Sequence, residues 1–288
     1  MNLDGQQLAA FAAVIELGSF DTAAEHLHVT QSAVSQRIKA LEQRVGQVLV
    51  LRGKPCRATT AGVPLLRLAA QTAILESEAL AEMGGAGDAM QTRIALAVNA
   101  DSMATWFTGV FAELGGVLFD VRIEDQDHSA RLLREGVVMG AVTTERNPVA
   151  GCRVQSLGVM RYLPAASPAY VERHMADGLT LASASAAPSV AWNRDDALQD
   201  MLLRKLFRRQ VAHPKHYVPT AEGFAAAVRG GLGWGMFPQK LALADGAQVL
   251  ICDEHLDVPL YWQCWKLDSP MVKAVTDAVR AAAARWGL

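Results

Sequence analysis

The sequence contains little cysteine: four residues in 288, none of them in a Cys-X-X-Cys pair. A structural zinc site needs cysteine and histidine ligands at short, regular spacing. The nearest approach is Cys252 with His255, which supplies only two ligands. The sequence therefore predicts no metal site and no cofactor, and it indicates reduced structural thiols at Cys56, Cys152, Cys252 and Cys264.

Long apolar runs are also missing. No uninterrupted apolar stretch approaches the roughly 18 residues of a membrane-spanning helix, and the first residues lack the basic and then apolar pattern of a secretory leader. Both observations predict a cytoplasmic protein. With 288 residues, 51% of them hydrophobic, the chain exceeds the usual size of one domain and can fill more than one core.

The motifs of common enzyme classes are absent too. The glycine-rich segment 230–238 fits neither nucleotide-binding fingerprint, and the seven histidines are scattered without a triad or a metal motif. We interpret the protein as a non-enzyme. An enzyme built on the C-terminal part of the chain is the alternative that this absence argues against.

Charge is nearly balanced overall, at −2, but it is concentrated locally. Between Gln31 and Arg57 there are six basic residues and one acid, Glu42, which gives this segment a net charge of +5. A patch of this kind suits the phosphate backbone of a nucleic acid, although a solvated charged surface has the same composition.

The same region has the pattern of a helix-turn-helix. Ser19 is a candidate N-cap for a first helix, His28 and Val29 form the turn, and Thr30 is a candidate N-cap for a second helix. In the second helix Val34, Ile38, Leu41 and Val45 form an apolar stripe. The opposite face is polar and basic, so we predict that it reads base edges in the major groove and contacts phosphates, through Gln31, Ser32, Ser35, Gln36, Arg37 and Lys39.

A two-stranded wing is predicted next, from the strand-like segments 48–51 and 58–60. Its tip carries Arg52 and Lys54, which we assign to phosphate and minor-groove contact. Residues 61–83 then have the composition of one long helix, in which Leu65, Leu68 and Leu75 follow the spacing of a coiled-coil seam. The spacing favours dimerisation, but a helix packed on its own domain shows the same stripe. Glycines 84, 85 and 87 are predicted to form a hinge.

Beyond the hinge, strands alternate with helices, which predicts an α/β fold. We expect a winged helix-turn-helix domain at residues 1–60, a linker and dimerisation helix with its hinge at 61–88, and a two-lobed α/β effector domain at 89–288. Lobe I is predicted to comprise about 89–161 and 265–288, and lobe II about 162–264. Two lobes joined by two crossings form a cleft, which is the geometry of a small-molecule binding protein.

Ligands of such folds bind at the carboxyl ends of strands and at helix N-termini. Hydroxyls and N–H groups in these places suit a carboxylate, and acids suit a cationic side chain. Together they suggest an amino acid with a basic side chain, although each residue taken singly is equally well explained as an ordinary cap or a solvated loop residue. The candidates are Asn99, Asp101, Ser102, Asp125, Thr143, Thr144, Glu145, Thr220 and Glu222.

Specific segments of the first 62 residues resemble the LysR-type transcriptional regulators. They are Leu8–Phe11, Gly18–Phe20, Thr22–Ala24, Leu27, Thr30–Ser35, Ile38, Leu41–Glu42 and Thr60–Gly62. One departure is Val50, where many members have phenylalanine. The resemblance implies a winged helix-turn-helix, a linker helix and an effector domain like a periplasmic binding protein. It also implies a dimer-based tetramer on promoter DNA, with the effector changing how the complex engages its site or RNA polymerase.

The effector part is similar to the ArgP/LysG branch of that family, whose members sense lysine or arginine and control basic amino-acid export. The similarity lies in Leu96–Ser102, Ala104–Trp106, Glu124–Asp125, Gly140–Val142, Trp192–Gln199 and Tyr261–Trp265. It implies lysine or arginine as effector, and it places Asn193, Arg194 and Asp195 where they either brace or line the cleft. A LysR-type regulator with a different effector, anionic or aromatic, is the alternative.

Overall fold

Three helices form the N-terminal domain of the structure, a computed structural model that describes residues 3–83, 93–124, 129–242 and 246–288. The helices are α1 (Gly5–Leu17), α2 (Phe20–His26) and α3 (Gln31–Val45). The predicted caps are confirmed, because the Ser19 hydroxyl accepts from the N–H groups of Asp21 and Thr22, and the Thr30 hydroxyl accepts from that of Ala33. His28 adopts a left-handed conformation in the turn between α2 and α3. Three residues of the α3 stripe, Val34, Ile38 and Leu41, are buried in the core that α3 forms with α1, and Val45 is partly buried.

The wing consists of β1 (Val50–Leu51) and β2 (Arg57–Ala58), an antiparallel pair. Both strands are shorter than predicted, and the second begins one residue earlier. The Glu42 carboxylate of α3 accepts from the N–H groups of Leu49 at 2.8 Å and Val50 at 3.3 Å. The one acid in the basic segment therefore anchors the wing to α3. Val50, the departure from the family pattern, is a buried core residue.

Helix α4 (Val63–Glu82) confirms the predicted long helix. Leu66 and Ala69 pack on the N-terminal core, and Ile74 packs on the core of the following domain. The Arg67 guanidinium donates to the carbonyl of Ala150 at 2.7 Å. One side of α4 is thus covered by its own chain. The predicted hinge glycines lie outside the described residues.

A seven-stranded sheet runs through the remainder of the chain. Its strands are β3 (Arg93–Asn99), β4 (Leu118–Glu124), β5 (Gly140–Thr143), β6 (Cys152–Ala166), β9 (Gly235–Pro238), β10 (Val249–Leu250) and β11 (Leu256–Trp265). Their order is β10-β6-β11-β5-β3-β4, with β9 also paired to β6. In the first lobe, β3 pairs in parallel with β4 on one side and with β5 on the other. In the second lobe, β9 and β10 both pair with β6 and extend the sheet.

The two crossings between lobes are the long strands β6 and β11, which pair with each other antiparallel. Their register shifts between Leu260 and Tyr261, opposite Gly158, whose φ is +128°. The lobes are therefore joined by paired strands with an irregularity between the two halves, and not by loops.

The second lobe also contains a small parallel sheet of β7 (Ser189–Ala191) and β8 (Lys215–Tyr217). Helices cover both lobes. They are α5 (Ala100–Ala104), α6 (Thr108–Glu113), α7 (Ser129–Arg134), α8 (Pro168–His174), α9 (Leu181–Ala186), α10 (Leu198–Phe207), α11 (Ala221–Arg229), α12 (Gln239–Ala242) and α13 (Pro270–Trp286).

The cysteines are free, and three of them are buried. Burial raises the pKa of the Cys152 thiol to about 11 and also raises that of Cys264. Both thiols therefore stay protonated at neutral pH, as structural thiols do.

Candidate functional site

The polar face of α3 points to solvent, as predicted. Gln31, Ser32, Gln36 and Lys39 are exposed, and Ser35 is partly exposed. Because the helix begins at Gln31 behind the Thr30 cap, its first turns present hydroxyl and amide groups. These groups suit base edges in a major groove.

Two basic side chains of the predicted surface also contact their own domain. The Arg37 guanidinium, partly exposed, donates to the Gln6 side-chain carbonyl of α1 at 3.0 Å. The Arg52 guanidinium lies 5.2 Å from the centre of the Phe20 ring at the start of α2. Arg52 therefore ties the wing to the helix-turn-helix, and Lys54 beyond it is exposed.

A cavity of about 390 Å³ lies between the lobes. Residues at the end of β3 and in α5 line it on the side of lobe I. On the side of lobe II it is lined by the segment after β7, by α11 and by β9 and α12. The lining residues are Asn99, Ala100, Asp101, Ala104, Trp192, Asp196, Leu198, Ala221, Glu222, Phe224, Ala225, Arg229, Met236, Phe237, Pro238 and Leu241.

Asn99 is the most unusual polar residue of this lining. It is 2% exposed, and neither polar atom of its amide has a hydrogen-bond partner among the described residues. A buried amide without partners costs free energy unless something else satisfies it. Asn99 therefore offers both its NH2 group and its carbonyl oxygen to a ligand in the cavity.

Asp101 and Asp196 are both held by neighbours. The phenol of Tyr162, a buried residue of β6, donates to Asp101 Oδ2 at 2.7 Å. Asp196 accepts from the backbone N–H of Trp192 at 2.9 Å on one oxygen and from that of Leu198 at 3.1 Å on the other. Asp196 thus holds the loop after β7 in place. The contact of Asp101 instead connects lobe I with β6, one of the two strands that join the lobes.

The segment 193–195 braces this loop and does not line the cavity. The Asn193 side-chain oxygen accepts from the N–H groups of Asp195 at 2.7 Å and Asp196 at 2.9 Å. Arg194 lies 5.1 Å from the centre of the Tyr217 ring.

Of the nine predicted effector residues, the cavity lining contains three: Asn99, Asp101 and Glu222. Ser102 is fully buried with its hydroxyl unpartnered among the described residues, and Thr220 accepts from the Gly223 N–H as the N-cap of α11. Asp125 lies outside the described residues. Neither Ser102 nor Thr220 is part of the lining.

Thr143, Thr144 and Glu145 are also absent from the lining. The Thr143 hydroxyl accepts from the Glu145 N–H at 3.1 Å, and the Glu145 carboxylate pairs with Arg134 at 3.1 Å. The Thr143 and Glu145 side chains are therefore engaged on lobe I itself.

The sequence prediction missed the apolar wall of the cavity and Arg229, the one base that lines it in the described part of the chain. Trp192, Phe224 and Phe237 belong to that wall. Arg229 follows Glu222 by seven residues, so helical spacing places both on one face of α11. That spacing is the signal that the sequence offered.

A helix-turn-helix with a basic wing, followed by a two-lobed domain with a cavity between the lobes, defines a ligand-responsive DNA-binding regulator. Residues 6–63 match the family described as bacterial regulatory helix-turn-helix protein, lysR family, and residues 87–285 match the LysR substrate binding domain. The chain belongs to the LysR family of DNA-binding transcriptional regulators.

Similarity to known members extends over the whole chain. The HTH-type transcriptional regulator LysG of Mycobacterium tuberculosis is 75% identical over 284 residues, covering 98% of this chain and 94% of that protein. The lysine export transcriptional regulatory protein LysG of Corynebacterium glutamicum is 42% identical, with 96% and 97% covered. The full-length structure of Corynebacterium glutamicum LysG with bound effector Arg is 40% identical, with a TM-score of 0.77 and 98% of each chain covered. The predicted family and branch are confirmed.

Within the described ranges, no helix combines the length and apolar character needed to cross a membrane.

Proposed function

We propose that lysine or arginine binds in the interlobe cavity and changes how the protein engages promoter DNA at a gene for basic amino-acid export. The charge of the cavity carries this proposal: among the described residues, three acids, Asp101, Asp196 and Glu222, line it with one base, Arg229. Such a cavity favours a cationic ligand. The regulator of lysine export and the arginine-bound structure reported above agree with that chemistry.

Calorimetric titration of the full-length protein tests the effector. Lysine and arginine are expected to bind, and glutamate, leucine and phenylalanine are not. Asp101→Asn should weaken the binding of both basic amino acids, because it removes a charge that faces the cation. Preferential binding of an anionic or aromatic compound would contradict the assignment and favour the alternative effector class.

DNA binding is proposed to use the exposed face of α3 for base contacts and the wing for phosphates. Gln36→Ala should cost about 1–3 kcal/mol on the cognate site and little on random DNA. Arg52→Ala should weaken both and lower the salt slope by about 0.9 if one phosphate contact is lost. Fluorescence anisotropy with cognate and scrambled duplexes distinguishes these patterns, and equal losses on both duplexes for Gln36→Ala would contradict base reading.

Self-association is proposed to use the side of α4 that the protomer leaves uncovered. Leu68 is 38% exposed and Leu75 is 42% exposed, while Leu65 is partly buried. These leucines follow the predicted seam, and a second copy of α4 would bury them. We propose that paired helices form a dimer and that dimers assemble into a tetramer. Light scattering of Leu68→Glu with Leu75→Glu should show a smaller species than the native protein.

In this proposal the protein acts in the cytoplasm, where promoter DNA and RNA polymerase are both present. An effector shifts an equilibrium only by binding one arrangement better than the other, typically by about 1–3 kcal/mol. Footprints with and without effector, followed by transcription with purified RNA polymerase, test this step. Identical footprints and identical transcription with and without lysine and arginine would contradict it.

A further inference from the structure

Helix α11 places an acid and a base at opposite ends of one wall of the cavity. Glu222 lies in its first turn and Arg229 is its last residue. Ala225 lies between them, and the spacing of three and four residues places all three on the face that lines the cavity. At 1.5 Å per residue, the α-carbons of Glu222 and Arg229 are about 10 Å apart along the helix axis. One wall of the cavity is therefore acidic at one end and basic at the other, with the apolar side chains of Phe224 and Ala225 between them.

The acids of the cavity are not equivalent. Asp196 uses both carboxylate oxygens to accept backbone N–H groups in its own loop. Glu222 makes no ion pair or hydrogen bond through its carboxylate with any residue that the structure describes, and it is exposed. Asp101 lies on the opposite wall, in α5, and α5 contacts α11. The Tyr162 hydroxyl donates to the Asp101 carboxylate. Glu222 thus has an unengaged carboxylate among the described residues, and Asp101 lines the cavity with a carboxylate that Tyr162 orients.

We infer that the effector lies along α11, with its α-carboxylate at Arg229 and its side-chain cation at Glu222 and Asp101. This inference rests on the proposed function, because it assigns the two ends of a basic amino acid. Five bonds separate the α-carbon of arginine from its guanidinium carbon, which gives about 6 Å when extended. That length fits between two charged side chains whose backbone positions are about 10 Å apart.

Arg229 then becomes the residue that selects an amino acid over an amine. An arginine guanidinium binds a carboxylate in a bidentate manner, which an amine without the carboxylate cannot use. The predicted hydroxyl partners of a carboxylate include Ser102, Thr143 and Thr144. None of these lines the cavity, whereas Arg229 does.

The test pairs ligand changes with residue changes in calorimetric titrations of the full-length protein. Agmatine is arginine without the carboxylate, and citrulline is arginine with a neutral group in place of the guanidinium. Cadaverine and norleucine provide the same comparison for lysine. The variants are Arg229→Met and Glu222→Gln. Arg204→Met and Glu172→Gln change exposed residues outside the cavity and serve as matched controls.

Arg229→Met should weaken arginine about tenfold or more, the loss expected for a charge-assisted hydrogen bond, and leave agmatine within about twofold. Glu222→Gln should weaken arginine and agmatine but not citrulline. The two controls should bind every ligand like the native protein. Thermal melts of the four variants check that the fold is retained.

The outcomes separate the two levels of inference. Native protein that binds neither arginine nor lysine would overturn the proposed effector class, and the orientation with it. Native protein that binds arginine, with Arg229→Met still preferring arginine to agmatine by the native factor, would overturn the orientation alone. Loss of citrulline binding in Glu222→Gln would place the α-amino acid end at Glu222 and also overturn it.

Discussion

At the scale of single residues, the contact between Tyr162 and Asp101 links the cavity to the strand that joins the lobes. We predict that Tyr162→Phe weakens the binding of the basic effector, because Asp101 loses the donor that fixes its carboxylate. A hydrogen bond to a charged group contributes about 1.5–3 kcal/mol, so the loss in affinity should be roughly tenfold or more.

The measurement is calorimetric titration of Tyr162→Phe, Asp101→Asn and the double variant. The double variant should bind no more weakly than Asp101→Asn alone, since Tyr162 acts through Asp101. Tyr217→Phe, at an exposed ring, is the control. Additive losses would show that Tyr162 acts by some other route.

His213 should make the stability of lobe II depend on pH. Its side chain is fully buried, with Nε2 2.9 Å from the Ser189 hydroxyl. Burial lowers the pKa of His213 below its ordinary value of 6.5; nearby Lys215 also lowers it, while the bond to the Val211 carbonyl and the charge of Asp200 oppose the shift. In the folded protein the His213 imidazole therefore stays neutral to a lower pH than in the unfolded chain.

Because the unfolded chain takes up a proton more readily than the folded one, stability is complete above about pH 6.5 and falls as the pH decreases below it. Urea unfolding at pH 7.5 and 5.5 should show a lower free energy of unfolding at pH 5.5. His213→Gln should reduce this difference. A difference of the same size in the variant would assign the pH dependence to other groups.

At the scale of elements, α4 is attached to the effector domain by Glu78 as well as by Arg67. One Glu78 carboxylate oxygen accepts from the Ser269 hydroxyl at 2.6 Å and from the Met271 N–H at 2.9 Å, at the start of α13. Arg67, Ile74 and Glu78 are spaced by seven and four residues, so they share one side of the helix. The predicted seam at Leu68 and Leu75 lies on another.

We predict that Glu78→Ala lowers the free energy of unfolding by about 1–2 kcal/mol, since it removes a cap from the N-terminus of α13. Glu82→Ala, at an exposed position on the same helix, should change it little. Denaturant unfolding measures both. An unchanged stability in Glu78→Ala would mean that solvent replaces this contact without cost.

At the scale of the whole molecule, the crossing between the lobes depends on Gly158. Its φ of +128° disfavours other residues, and an added β-carbon would lie 2.2 Å from the backbone carbon of Leu288. We predict that Gly158→Ala destabilises the protein by more than the roughly 1–3 kcal/mol of backbone strain alone. Gly178→Ala is the matched control, because Gly178 has φ of +82° and open space around it. Equal losses in the two variants, measured by thermal unfolding, would show that contact with the C-terminus adds nothing.

Local structure was largely predictable because its causes are local. Caps such as Ser19 and Thr30 act within three residues, and the α3 stripe repeats within a turn or two. The wing was predicted from short strand-like segments, but its length was wrong, because Glu42 and the contact between Cys56 and Gly18 decide where pairing ends.

The candidate site was predictable only in part. The expectation that ligands bind at strand ends led to Asn99 and Asp101 at the end of β3. The expectation that they bind at helix N-termini led to Glu222 at the start of α11. Residues 143–145 lie at the end of β5 and directly after it, and β5 is beside β3, yet they do not line the cavity. Buried Gln263 of β11 donates to the carbonyls of Glu145 and Asn147 and accepts from the Val149 N–H. That contact spans more than 100 residues of sequence.

The sequence by itself determined the helix-turn-helix, the long linker helix and the βα alternation, because hydrophobic periodicity and capping act over a few neighbouring residues. Only the tertiary structure decided which side chains meet in the cavity. The pairing of β6 with β11 brings α5 to α11, about 120 residues later in the chain, and so sets Asp101 on one wall against Glu222 and Arg229 on the other. Contacts at that separation depend on sheet order and strand register, which no local pattern records.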